Sequence, residues 1–228
     1  MRVVAIDPGI VAVGIVDATV EWGDDGSVLR VVAFHDVAVV DVTKWRSEVL
    51  GRRHVHDYIC VLLETYADSL AAASAVLVEA QAPGCAGVPL EIVLRERFGG
   101  KCVIVPPATL LAHRGVAGLD YDARKLANVA AAVVLAEGEW LGVPGATKLS
   151  ALLALGKDAA LRVHDAADAA LLLHWFTGGM GWRTKYAKHV QRPLVTPASA
   201  GFAAVLEEFR WKGEWRALQS LRSRATFG

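Results

Sequence analysis

The sequence predicts an α/β domain, a mixed β-sheet flanked by helices, followed by a basic C-terminal extension. Three observations predict it. Strand-like runs open the chain with no helix between them, helical and strand-like runs alternate after about residue 43, and the charge turns positive beyond residue 182. The division that follows is a domain over 1–177 and an extension over 178–228.

Residues 2–7 and 10–18 are rich in β-branched residues and are separated by the turn pair Pro8-Gly9, so they read as two strands of a meander. After the loop "WGDDGS", residues 28–40 supply one or two more. From Thr43 to about Ala73 apolar residues recur at spacings of three and four (Val49, Val55, Ile59, Leu62, Leu63, Tyr66, Leu70), which predicts a helix. "AVLVEA" at 75–80 is a short buried-type strand, and a helix over about 88–98 closes at Gly99-Gly100. "CVIVPP" is a further strand, ended by prolines that open a short helix. "YDARKLANVAAAVVLAEGEW" is helical by propensity, with Asp120 or Asp122 as its cap. Residues 164–176 form the last helix of the domain, "TGGMGWR" reads as a joint, and 198–222 reads as a helix of the extension.

The chain has 228 residues, 54% of them hydrophobic, enough for one sizeable core. Its zero net charge hides an asymmetry: residues 1–182 hold 15 Lys/Arg against 21 Asp/Glu, and residues 183–228 hold 9 against 3. An acidic body suits cations and a basic tail suits polyanions such as nucleic acid. Cys60, Cys85 and Cys102 are odd in number and lack paired spacing, which points away from a disulfide framework and towards a reducing intracellular compartment. No run of about 18 uncharged apolar residues occurs, so the expectation is a soluble protein without a membrane partner. "GVPGATK" at 142–148 lacks the spacing of a phosphate-binding loop, so no nucleotide cofactor is expected.

Four acids stand out by position. Asp7 ends the first strand, Glu79 ends the strand at 75–80, and Asp165 and Asp168 open the last helix of the domain. A spacing of three puts the last two on one helical face, about 5–6 Å apart at Cβ. Groups at strand ends gather along one sheet edge, so Asp7 and Glu79 converge if their strands are parallel neighbours. Four crowded carboxylates repel one another unless a cation neutralises them, and oxygen-only ligation favours Mg²⁺ or Mn²⁺. A site of two ions, one activating water and one stabilising the leaving oxygen, is the apparatus of phosphodiester cleavage. Taken singly, an Asp before Pro-Gly such as Asp7 is usually a turn residue, and Asp165 or Asp168 is more often a helix cap or a charge favoured by the helix dipole.

In combination the segments resemble a family. "AIDPGIVAVGIVD" resembles the first motif of the RuvC-like Holliday junction resolvases, "LVEAQAP" the strand carrying their catalytic Glu, and "HDAADAALLL" their closing Asp-x-x-Asp helix, in the same order over roughly residues 1–176. The resemblance implies a ribonuclease H-like fold, a homodimer, dependence on Mg²⁺ with Mn²⁺ as substitute, and symmetrical nicking of branched, four-way DNA. It implies Asp7, Glu79, Asp165 and Asp168 as ligands of two ions per site. "YDARKLANVA" resembles the helix that carries basic residues near the scissile phosphate, and its Arg-Lys pair is nearer the poxviral and mitochondrial branch. Lys125, with Arg124 second, takes that contact. Glu79 is followed by Ala80 and then Gln81, where bacterial relatives commonly place Gln directly after Glu, and the tail beyond about 182 exceeds the bacterial pattern.

Other basic and aromatic residues have weaker claims. Arg52 and Arg53, and Lys185 and Lys188 in the extension, are candidates for phosphate contact. His54 and His56, two apart, face different directions on a helix and make a poor metal pair. His164 adjoins the acids and either tunes the site or starts the helix, whereas His174 and Trp175 read as packing residues. Trp211 and Trp215, with Arg210, Lys212 and Arg216 around them, suit stacking on bases or, more naturally, docking on the domain or on a partner subunit. The apolar helix at 49–70 is a candidate dimer surface. The leading function is a structure-selective DNA endonuclease acting on four-way junctions. The alternatives are a ribonuclease H-like nuclease acting on RNA or an RNA–DNA hybrid, and a junction-binding module without catalysis.

Overall fold

A computed structural model describes residues 1–9, 11–22, 29–41, 55–83, 85, 87–155 and 162–178, with side chains of the first helix described from Ile59 onward. Arg52, Arg53, Lys185, Lys188, Trp211, Trp215 and the expected helix at 198–222 lie outside these residues, as does the extension beyond Gly178.

Among the described residues five strands form one mixed sheet in the order β3-β2-β1-β4-β5. They are β1 (Arg2–Asp7), β2 (Ala12–Trp22), β3 (Leu29–Asp41), β4 (Ala75–Glu79) and β5 (Cys102–Val105). The first three make an antiparallel meander, and β4 and β5 add to β1 in parallel. Residues 29–41 are a single strand whose pairing with β2 shifts register at Asp17/Ala18 and Thr19/Val20. Such bulges raise local twist and let a long ribbon wrap what lies beneath it.

Among the described residues seven α-helices cover the two faces. They are α1 (Val55–Thr65), α2 (Ala67–Ala72), α3 (Val88–Phe98), α4 (Pro107–Arg114), α5 (Tyr121–Glu137), α6 (Ala146–Ala154) and α7 (Val163–Gly178). Strand alternation sorts their partners. Val4, Ile6, Val76, Val78 and Ile104 pack with Ile59, Leu62, Leu70, Leu90 and Leu94 of α1 to α3. Val3, Ala5, Ala75, Leu77 and Val105 face the opposite way and pack with Leu110, Ala132, Leu149 and the length of α7. The domain is thus three layers, helix on sheet on helix.

Helix α7 is the centre of the second layer. Apart from His164 and His174, every residue from Val163 to Thr177 is buried, because the sheet covers one side and α4, α5 and α6 cover the others. A helix apolar all round belongs inside a domain.

Two elements differ from the sequence reading. The helix expected over Thr43–Ala73 is, in its described part, two helices broken at Tyr66, whose backbone leaves the helical region at φ −107°, ψ 20°. The Tyr66 ring is buried at this break, so tertiary packing overrides a continuous apolar period. Helix α6 had no counterpart, since it begins at Gly145 with no side-chain cap. Gly145 sits at φ +80°, where a Cβ would lie 2.1 Å from the carbonyl oxygen of Phe34, so glycine is required for this close crossing. Of the two possible caps for α5, Asp120 takes the role, accepting the Ala123 N–H at 2.8 Å.

Candidate active site

The strand period of two decides which way the acids point. Val3 and Ala5 face α7, so Asp7, two further on, faces it as well; Ala75 and Leu77 do the same for Glu79. Ile6 pairs with Val78 in a parallel ladder, which brings Asp7 and Glu79 level at one edge. Asp165 and Asp168, three apart in the first turns of α7, look back at that edge from above.

Gly14 permits the meeting. It pairs with Asp7 on β2, and a Cβ there would lie 1.9 Å from the carbonyl oxygen of Asp165. Helix α7 therefore crosses the sheet on bare backbone, directly over Asp7. A glycine inside a β-branched run is the sequence signal for such an approach.

Asp7, Asp165 and Asp168 each offer a carboxylate oxygen within 4.8 Å of the others, and all three are buried. Glu79 stands outside this trio but shares its field. Burial pushes the Asp7 carboxyl well above its usual range, and the charges of Asp168, Glu79 and Asp165 push further while Lys125 opposes them. Burial, with Asp168 second, raises Glu79 to about 7 against the pull of Arg114, Lys125 and Arg124. The cluster is short of positive charge.

Asp168 is held by three donors. Arg114 Nη1 reaches Oδ1 at 3.2 Å, Asn128 Nδ2 reaches the same oxygen at 2.6 Å, and Lys125 Nζ reaches Oδ2 at 2.5 Å. Lys125 Nζ also lies 4.0 Å from Asp165 Oδ1, and the surrounding carboxylates outweigh its burial and raise its pKa. Arg162 Nε is 3.2 Å from Asp165 Oδ2 but aims its N–H at His164, so this buried oxygen accepts no hydrogen bond among the described residues. His164 Nε2 lies 3.2 Å from Asp165 Oδ1, which places His164 at the site.

The structure therefore brings together Asp7, Glu79, Asp165, Asp168 and Lys125, with Arg124 near enough to act on Glu79. Sequence reasoning missed Gly14, Arg114, Asn128 and Arg162. Asn128 carried a signal, being the polar residue three beyond Lys125 in an otherwise apolar run. Arg114 carried none beyond its place in a last helical turn. His174, read as packing, instead links Glu139 Oε2 at 3.3 Å to His113 Nε2 at 3.3 Å.

A divalent ion fits this donor set. The ligand atoms are all carboxylate oxygens, they are buried and close, their mutual repulsion raises Asp7, and one oxygen of Asp165 is left without a hydrogen bond.

No protein-family model and no curated protein matches the chain. Among solved structures, the yeast mitochondrial Holliday junction resolvase is similar with a TM-score of 0.50 at 14% identity, covering 94% of this chain and 85% of that one. The fowlpox virus resolvase, solved with Holliday junction DNA, gives 0.48 at 13% identity over 75% of this chain and 95% of its own. RuvC of Thermus thermophilus gives 0.44 at 18% over 77% and 95%.

The sheet order, the parallel addition of β4 and β5 to a meander and the acid-bearing helix across it define a ribonuclease H-like α/β fold. Within that class, the likeness to the yeast mitochondrial enzyme makes it the RuvC-like resolvase fold. Among the described residues no helix is long and apolar enough to cross a membrane.

Proposed function

We propose that this chain is a metal-dependent DNA endonuclease that resolves four-way junctions by symmetrical phosphodiester hydrolysis. The observation that carries the reading is the convergence of Asp7, Asp165 and Asp168 within 4.8 Å on this fold, beside the buried Arg114 and the half-buried Lys125. The yeast mitochondrial neighbour is a Holliday junction resolvase, and the reading extends that activity to this chain.

Asp7, Asp165 and Asp168 would hold Mg²⁺ or Mn²⁺, and Glu79, level with Asp7, extends the ligand set towards a second ion. Ions bound there supply an activated water and offset charge on the leaving oxygen. The protein's part is positional. Asp7 is fixed by a sheet paired on both sides, and Asp168 is fixed by Arg114 and Asn128. Both are then held within the half-ångström tolerance a site requires. Lys125 and Arg124 supply positive charge for the phosphate from the start of α5. A junction is two-fold symmetric, so a homodimer would present two such sites to two strands. Arg52, Arg53, Lys185 and Lys188 are proposed as outer phosphate contacts.

The test is incubation of a labelled mobile junction with wild type and Asp168→Asn in Mg²⁺ and in Mn²⁺. Wild type is expected to make paired nicks, and the variant to lose about 10²-fold or more in rate. Binding without cleavage by wild type refutes the enzyme, and equal cleavage by the variant refutes the site. Stronger cutting of an RNA–DNA hybrid than of the junction moves the substrate to the ribonuclease H-like alternative.

A further inference from the structure

Asp168 has no idle oxygen. Oδ1 takes Arg114 and Asn128, and Oδ2 takes Lys125. An ion that binds Asp168 must therefore meet or replace one of these donors. Arg114 and Asn128 are poor candidates to leave. The Arg114 side chain is 5% exposed, and its Nε and Nη2 find no hydrogen-bond partner among the described residues, so displacement would strand more buried charge. Asn128 is buried on the inner face of α5.

Lys125 differs on each count. Its side chain is 23% exposed, its ammonium sits on a flexible four-carbon stem, and its Nζ lies 5.6 Å from the centre of the Tyr121 ring. Tyr121 is 55% exposed and stands one turn earlier on α5, so it offers the ammonium an outer resting place at the mouth of the site. A divalent ion and an ammonium within about 4 Å of each other repel by several kcal/mol even in a polarisable protein. Both cannot occupy the same carboxylates.

We propose that Lys125 is a built-in counter-ion, occupying the acid cluster until a divalent ion displaces it, and that the displaced ammonium then meets the phosphate of the substrate. The inference rests on the metal-dependent reading given above and adds a coupling to it. Because the displaced lysine needs a new anion, bound DNA favours the ion and the bound ion favours DNA, by the same factor in each direction.

The experiment titrates MnCl₂ into the full chain without DNA, by calorimetry, for wild type, Lys125→Met and Lys148→Met. Lys148 pairs with Asp36 and with the backbone of His35 on β3, so its loss removes the same charge outside the acid cluster. Lys125→Met is expected to bind Mn²⁺ about tenfold tighter or more than wild type, and Lys148→Met to bind it within about twofold. Lys125→Met is also expected to melt lower than wild type without metal and to gain more from Mn²⁺. Lys125→Arg, which keeps the charge on a head that forks onto carboxylates, should bind Mn²⁺ no more tightly than wild type. Junction affinity of wild type should rise about fivefold or more on replacing EDTA with Ca²⁺, a gain that Lys125→Met loses. Equal or weaker Mn²⁺ binding by Lys125→Met overturns the inference and leaves the nuclease reading standing. Absence of Mn²⁺ binding by every variant overturns both.

Discussion

Replacing Gly14 with alanine tests the assembly of the site without touching any of its charged groups. The new Cβ would sit 1.9 Å from the Asp165 carbonyl oxygen, 2.3 Å from its carbonyl carbon and 2.9 Å from the Ala166 nitrogen. Carbon and oxygen make contact at about 3.3 Å, so the first turn of α7 must retreat by about 1.4 Å. All the obstructing atoms are backbone, and the helix behind them is packed on every side, so no side chain can swing aside to relieve the clash. Overpacking of this kind costs about 3 kcal/mol, at the upper end of its usual range. For a chain of this size that lowers the melting temperature by about 6–12 °C. The same retreat carries Asp165 and Asp168 away from Asp7, and a misplacement of about 1 Å is enough to reduce a site's performance about 10²-fold. Thermal melts followed by circular dichroism measure the first effect, and Mn²⁺ calorimetry below the melt measures the second. A variant that melts like wild type and binds Mn²⁺ equally well would refute the account of how α7 meets β2.

The pH dependence of the metal-free protein has a definite sign. Glu79 rises from 4.5 to about 7 in the folded chain and Asp7 rises too, so between these values the folded state holds more protons than the unfolded one. Stability is then greatest below about 4.5 and falls as pH rises through about 7, by up to roughly 3 kcal/mol for Glu79. Melts from pH 4.5 to 8 in EDTA check the slope, and saturating Mn²⁺ should flatten it; a metal-free protein that gains stability across that range contradicts the assigned fields. Away from the acid cluster, Asp17 is buried on β2 and takes Arg2 Nε at 2.9 Å and Nη2 at 2.5 Å. Asp17→Ala is expected to cost about 2–3 kcal/mol, less than a fully buried pair because Arg2 is 30% exposed, with Mn²⁺ affinity unchanged in calorimetry.

Much of the domain is legible in its residues because local and tertiary preferences agree there. The β-branched runs, the proline stops before α4 and the helical propensity of α5 each give an element within a few residues of its place. Asp7 and Glu79 were visible as acids ending apolar strands, and Asp165 and Asp168 by their spacing. What joined them was not visible, since strand adjacency is a long-range property, and neither was the break at Tyr66, which depends on the burial of its ring in the tertiary structure. Arg114 and Asn128 escaped because a buried donor on a carboxylate has no local pattern. Gly14 was readable in principle, as a residue without a side chain in a run where every neighbour profits from having one.

The burial of α7 bears on how the protein is made. The helix that fills the middle of the second layer is the last described element to leave the ribosome, whereas the sheet edge it completes is the first. Until Val163–Gly178 has emerged, the inner faces of β1, β2 and β3 lack their main cover and Asp7 lacks the carboxylates it works with. Contacts this distant in sequence form late and slowly. A nascent or truncated chain that lacks α7 therefore has no acid cluster, because two of its three carboxylates arrive with the helix that closes the core.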